Sequence, residues 1–150
     1  MEKTNKINIS GVKINNLKIF LTDGGSVGHV IKKNDKNFFG FGEAYYTSIK
    51  YNKIRGWKLH KKMIVNLMVL IGKLEIIIFD NRKKSKTNGK FKKIILKEND
   101  GKRLTINNNL WFAFKGISRK ETKIINISNI MYDRKELLEK KLNEIKFDWS

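Results

Sequence analysis

Met63-Ile64-Val65-Asn66-Leu67-Met68-Val69-Leu70-Ile71-Gly72-Lys73-Leu74-Glu75-Ile76-Ile77-Ile78-Phe79 is the stretch that decides the fold. Two apolar runs, Met63–Ile71 and Leu74–Phe79, flank Gly72-Lys73. Both are short and rich in β-branched residues, so they read as strands rather than as a buried helix. The Gly-Lys pair between them predicts a tight hairpin or a bulged turn. Asn66, Gly72, Lys73 and Glu75 interrupt the run. It therefore falls short of the roughly 18 apolar residues that a membrane span needs.

The same period of two runs outward in both directions. Upstream, Asn8–Ile14 and Leu17–Leu21 read as strands, followed by a turn at Asp23-Gly24-Gly25. Ser26–Lys32 and the aromatic-rich Phe38–Ser48 follow. Downstream, the basic connection over residues 81–89 contains Arg82–Lys86, which reads as a solvated hairpin loop. Phe91–Leu96, Lys102–Ile106, Leu110–Phe114 and Thr122–Ser128 are further strands, with a turn at Glu98-Asn99-Asp100-Gly101. Only Arg134–Ile145 has helical spacing, with Leu137, Leu138, Leu142 and Ile145 among Glu and Lys. Many short strands at regular spacing predict an all-β sandwich or barrel. No linker or internal repeat divides it, so residues 1–150 read as one domain with a short C-terminal helix.

Composition narrows the function. The 150 residues carry 33 Lys+Arg against 14 Asp+Glu, a net charge of +19, with no cysteine and no proline. Without cysteine there is no disulfide and no thiolate nucleophile or metal ligand. At 40% hydrophobic residues the chain is too apolar for a disordered polycation. The charge attracts phosphate non-specifically. However, the lysines are spread over every segment, and abundant Lys, Asn and Ile with scarce Ala and Pro are what a coding bias produces. No nucleic-acid partner is expected on this basis. Met1–Asn8 is polar and no apolar targeting region follows, which predicts a cytoplasmic protein with no membrane association.

Two segments have the spacing of the cupin motifs, which mark a subclass of jelly rolls. Counting back from Gly72, the metal-ligand slots of the first motif fall on Lys58, His60 and Val65. In the second motif Gly101 fits the start, Asn107 and Asn109 fill the Pro and Gly slots, and Phe112 fills the His slot. A metal site needs several imidazole or carboxylate donors on one ion. One histidine remains, so no metal is expected, and no other cofactor.

Within the cupins the chain resembles the dTDP-4-dehydrorhamnose 3,5-epimerase family, including its ketoisomerase-like branch. The resemblance runs from about Asp23 to Trp149. It is carried by Arg55-Gly56-Trp57-Lys58-Leu59-His60-Lys61-Lys62-Met63, Asn66-Leu67 through Gly72-Lys73, Asp80-Asn81-Arg82, Gly89-Lys90-Phe91, Leu104-Thr105-Ile106 through Phe114-Lys115-Gly116, Met131-Tyr132-Asp133, and Ile145-Lys146-Phe147-Asp148-Trp149. It implies a double-stranded β-helix, usually a homodimer whose N-terminal strands reach the partner. It also implies metal-free proton abstraction alpha to the ketone of a nucleotide-diphosphate 4-keto-6-deoxy sugar, in surface polysaccharide or lipopolysaccharide synthesis. The family's base slot lies near Lys58, its lysine slot at about Val65 or Asn66, and its tyrosine slot, counted back from Tyr132, on Asn126. The nucleotide-contacting Arg-Gly-x-Phe segment is reduced to Gly24-Gly25-Ser26-Val27.

These departures focus the expected site. His60 is the candidate acid/base, since imidazole titrates near neutral pH. Lys58 can steady an enolate or pair with a diphosphate, and Tyr132 can supply a phenolic proton. Arg55 is suited to bidentate diphosphate binding. Asn66 and Asn126 interrupt apolar strands and are expected to meet sugar hydroxyls, with Trp57 and Phe112 as further substrate contacts. Tyr45, Tyr46, Trp57 and Trp111 suit either stacking on a base or sugar, or packing in a core or dimer interface. A cupin that binds a nucleotide sugar without epimerising it is the alternative reading.

Overall fold

The computed structural model describes residues 8–150; the polar opening read for a targeting signal lies, up to residue 7, outside the described residues. Twelve strands carry the fold: β1 Val12–Asn16, β2 Lys18–Thr22, β3 Gly25–His29, β4 Glu43–Ile49, β5 Ile54–His60, β6 Val65–Ile71, β7 Lys73–Phe79, β8 Phe91–Lys97, β9 Lys102–Ile106, β10 Trp111–Gly116, β11 Thr122–Ser128 and β12 Leu137–Lys140. Among the described residues, one antiparallel sheet has the order β1-β9-β6-β11-β4, a second β12-β5-β10-β7-β8, and β2 and β3 form a separate two-stranded hairpin. The facing sides of the first two sheets supply one core from alternate residues: Val65, Leu67 and Val69, Leu74, Ile76 and Ile78, Leu104 and Ile106. The alternation predicted a sandwich or barrel, and the cupin motif spacing the jelly roll that this is. Among the described residues no helix is long and apolar enough to cross a membrane.

The deciding stretch folds differently from a hairpin. β6 pairs with β9 and β11, whereas β7 pairs with β10 and β8, so Gly72 is the corner where the chain passes from one sheet to the other. A bulge at Leu70 precedes it, since Lys123 and Ile124 of β11 face Ile71 and Val69. Gly72 has φ +86°, and a Cβ there would lie 2.6 Å from the hydroxyls of both Ser118 and Thr122. Those hydroxyls accept the Lys73 N–H. Alternation predicts strands on each side of a glycine but not whether they pair.

The C-terminal segment holds no α-helix. Arg134–Glu136 and Leu142–Glu144 are single 3-10 turns, and between them β12 pairs antiparallel with β5, Leu137 facing His60 and Lys140 facing Trp57. Pairing removes the free edge of β5 and buries Leu137, which a helix over the same residues would not achieve. Beyond it, Ile145, Phe147 and Trp149 cover the outer face of the second sheet, against Trp57, Ile77 and Trp111. That cover is why Ile76, Ile77 and Ile78 are all fully buried.

The β7–β8 connection is organised rather than simply solvated. Asp80 is fully buried and accepts hydrogen bonds from the Arg82 guanidinium at 2.9 Å, the Ser85 hydroxyl at 2.6 Å and the Thr87 hydroxyl at 2.5 Å. Burial pushes its carboxyl up, but Arg82, Ser85 and Thr87 outweigh this and hold it well below the usual carboxylate range. Asp80→Ala should lower stability by about 2–3 kcal/mol, because the Arg82 charge and two hydroxyls lose their acceptor. A denaturation midpoint within error of the wild type would contradict this.

Candidate active site

A cavity of about 370 Å³ opens between the two sheets. β5 provides its chemistry. Alternation along the strand turns Lys58 and His60 into the cavity and Trp57 away from it. Arg55 would be turned outward by parity alone. A bulge corrects this: Phe112 and Phe114 of β10 face Lys58 and Arg55, so β5 carries one extra residue and Arg55 joins Lys58 and His60 on the cavity.

His60 is buried, 6% exposed, and its Nδ1 lies 2.5 Å from Oε1 of Glu136, which is 3% exposed. The other carboxylate oxygen accepts the N–H groups of Lys62 and Met63 at 3.0 and 3.2 Å. Burial pushes the Glu136 carboxyl up, but the His60 bond and the two backbone donors prevail and hold it below its ordinary value. An ionised carboxylate only accepts, so Nδ1 carries the proton and Nε2 is the free nitrogen of a ring that lines the cavity. Phe112 stacks on the imidazole with ring centroids 5.9 Å apart. The strand end is tied down as well, since Asn109 donates its N–H to the His60 carbonyl at 2.7 Å. Asn109 does so at φ +64°, the left-handed conformation of the glycine slot it fills. Asn107, in the proline slot, donates an N–H to the Gly11 carbonyl that proline would lack.

The four motif slots, Lys58, His60, Val65 and Phe112, converge on this one cavity. They offer one imidazole, one ammonium and two hydrocarbons, and Nδ1 of that imidazole is already bonded to Glu136. Among the described residues no three His, Asp or Glu side chains gather as a metal site. The donor set does not fit a metal ion. Lys58 is half-buried, and burial followed by the Arg55 charge pushes its ammonium pKa down against the pull of Glu139. Its side chain lines the cavity beside Arg55 and His60.

The opposite wall is polar at one place. Asn126 on β11 is 3% exposed; its Oδ1 accepts the Asn66 N–H at 3.0 Å and its Nδ2 donates to the Tyr45 hydroxyl at 2.8 Å. Tyr45 is the cross-strand partner of Asn126 on β4, and both line the cavity. At the rim, Gly42 lets two segments touch, for a Cβ there would sit 2.0 Å from the Ile130 carbonyl carbon. This crossing sets Glu43 and Tyr132 side by side, with the Tyr132 N–H donated to the Glu43 carboxylate at 2.8 Å.

Of the expected site residues, the cavity gathers His60, Lys58, Tyr132, Arg55, Asn126 and Phe112. Two expectations need correction. Trp57 is 1% exposed in the outer core, with its ring 6.0 Å from that of Trp149, and does not line the cavity. Asn66 points to the other side of β6 from Val65 and Leu67, and its side chain accepts the Thr105 hydroxyl at 2.6 Å. Tyr46 faces outward and is 70% exposed, and Trp111 belongs to the outer core. Sequence reasoning missed Glu136 altogether, because it lay in a segment read as a helix. The available signal was that a histidine acting as a base needs a carboxylate orienter, but no spacing pointed to a residue 76 positions away.

No protein-family model matches the chain. Among curated proteins, the "Probable low-salt glycan biosynthesis epimerase Agl13" of Haloferax volcanii is 24% identical over 128 residues, 84% of this chain and 82% of that protein. Among solved structures, the dTDP sugar isomerase of Desulfovibrio desulfuricans G20 has a TM-score of 0.87 at 24% identity, covering 94% of this chain and 92% of that one. The dTDP-4-dehydrorhamnose 3,5-epimerase of Elizabethkingia anophelis NUHP1 has a TM-score of 0.84 at 17% identity, covering 96% and 84%. The fold of this chain is the fold of these sugar epimerases and isomerases.

Proposed function

We propose that a chain with this fold is a metal-independent epimerase or isomerase of a nucleotide-diphosphate 4-keto-6-deoxy sugar. The observation that carries the reading is the buried His60–Glu136 pair facing a cavity of sugar size. Glu136 holds the imidazole in the tautomer with Nε2 free, and stabilises the imidazolium that forms when Nε2 takes a proton. The substrate proton alpha to the ketone goes to Nε2, and its electron pair moves into the enolate. Lys58 supplies positive charge from the same wall, where the enolate oxygen develops. Arg55 stands near the rim and suits the diphosphate. Phe112, Phe114 and Leu67 keep the rest of the wall apolar, which strengthens these electrostatic contacts.

The alternative, a cupin that only binds a sugar, leaves the buried His60–Glu136 pair without a task. Burying a histidine against a carboxylate is costly unless the pair is fully bonded, and a binding wall has no need of it. The names of the similar proteins point the same way. In this reading the enzyme works in the cytoplasm on a precursor of a surface polysaccharide. Its other partner is a second copy of itself, for which the β2–β3 hairpin offers exposed Ile19, Phe20, Leu21 and Val27.

Product analysis tests this. Incubation with dTDP-4-keto-6-deoxyglucose should give an epimer or keto isomer that chromatography resolves from the substrate. Saturable binding with the substrate recovered unchanged would support the binding protein instead.

A further inference from the structure

Inversion of a carbon needs two groups, one to take the proton and one to return a proton from the opposite face. His60 provides the first from the second sheet. The resemblance places the second, a tyrosine, at position 126 of the first sheet, where this chain has asparagine. The structure places a phenol beside it. Tyr45 is the direct cross-strand partner of Asn126, and its hydroxyl is held 2.8 Å from the Asn126 amide nitrogen.

The direction of that hydrogen bond matters. Asn126 Oδ1 is occupied by the Asn66 N–H, which fixes the amide so that Nδ2 points at Tyr45. The phenol oxygen therefore accepts, and its own proton is left free for a ligand in the cavity. The same donor favours the phenolate that remains after the proton leaves, as does the Arg55 charge, whereas the Glu43 and Glu136 carboxylates oppose it. Burial keeps the phenol protonated at neutral pH until then. Tyr132 has none of this support. It is 58% exposed at the rim against 40% for Tyr45, and only its backbone is tied, to Glu43.

We propose that Tyr45, positioned by Asn126, is the catalytic acid that completes inversion, so that the phenol has moved to the neighbouring strand. The inference rests on the epimerase reading above. The step balances: the carbon loses a proton to His60 Nε2, the enolate forms, and the Tyr45 O–H bond breaks as a new C–H bond forms on the opposite face. The imidazolium then releases its proton to water, and the phenolate takes one from water.

Deuterated water separates the two half-reactions. In Tyr45→Phe, wash-out of the substrate proton should stay within a few-fold of the wild type, while inverted product falls by at least about 100-fold. Tyr132→Phe should leave both rates within a few-fold. Asn126→Ala should keep wash-out and lower the ratio of inversion to wash-out by at least about ten-fold, because the phenol loses the donor that orients it and supports its phenolate. Inversion at the wild-type rate in Tyr45→Phe, loss of wash-out along with inversion in a Tyr45→Phe protein that melts like the wild type, or the split appearing in Tyr132→Phe would overturn the assignment. Should Tyr45→Phe melt early, the ratio of inversion to wash-out in Asn126→Ala decides, and a ratio at the wild-type value overturns it. Wash-out absent from the wild-type protein contradicts instead the reading on which the assignment rests.

Discussion

His60→Asn should leave the fold in place and reduce turnover of a 4-keto nucleotide sugar by about 10³-fold. The lost function is the proton acceptor, and a positioned general base contributes about 10²–10⁴ in rate. Asparagine fits the space and keeps a donor for Glu136, so the carboxylate is not left alone in the core. Lys58 shares the wall and has a depressed pKa, but Glu136 is bonded to His60, Lys62 and Met63 and not to Lys58. Lys58 should not rescue the variant. Turnover of the purified variant, within ten-fold of the wild type, would remove His60 from the mechanism.

Glu136→Ala has the largest combined effect. The side chain accepts three hydrogen bonds, from His60 Nδ1 and from the Lys62 and Met63 N–H groups. Removing it strands all three donors in a buried place, and stability should fall by about 3–5 kcal/mol. Turnover should also fall by at least about 10²-fold, since the imidazole loses the group that fixes its tautomer. The pH dependence has a definite sign. The folded carboxyl is held below its ordinary value, so it binds protons less readily than in the unfolded chain. Its contribution to stability is present above about pH 4.3, the unfolded value, and is lost as pH falls through the lower folded value. Glu136→Gln should flatten that part of the acid denaturation curve. An acid limb identical to the wild type would show that the carboxylate is not held as described.

Much of the site was legible because strand parity is rigid. Lys58, His60 and Val65, counted from Gly72, and Phe112, counted from Gly101, all reach one cavity. Parity alone also sends Trp57 and Asn66 to the other faces of their strands. What parity cannot show is an inserted residue, and the β5 bulge that brings Arg55 inward is of that kind. Nor can it show which sheet a strand enters, which is why Gly72-Lys73 read as a hairpin or bulged turn and not as a corner between sheets. The C-terminal segment failed for a third reason. Leu137, Leu138, Leu142 and Ile145 fit a helical period, yet the open edge of β5 and the bare face of Trp57 and Trp111 act over long sequence distances. Those tertiary demands override the local pattern. Glu136 became visible only with that correction, since its place depends on the chain leaving the rim in a 3-10 turn and joining β5.

The central claim is that this cavity removes a proton alpha to a ketone. Its most direct test is proton NMR of dTDP-4-keto-6-deoxyglucose with the wild-type protein in deuterated water, with His60→Asn as the control. Disappearance of the C3 or C5 proton signal with the wild type, and its persistence with the variant, is the predicted result. Both signals persisting with wild-type protein that demonstrably binds the nucleotide sugar would contradict the account.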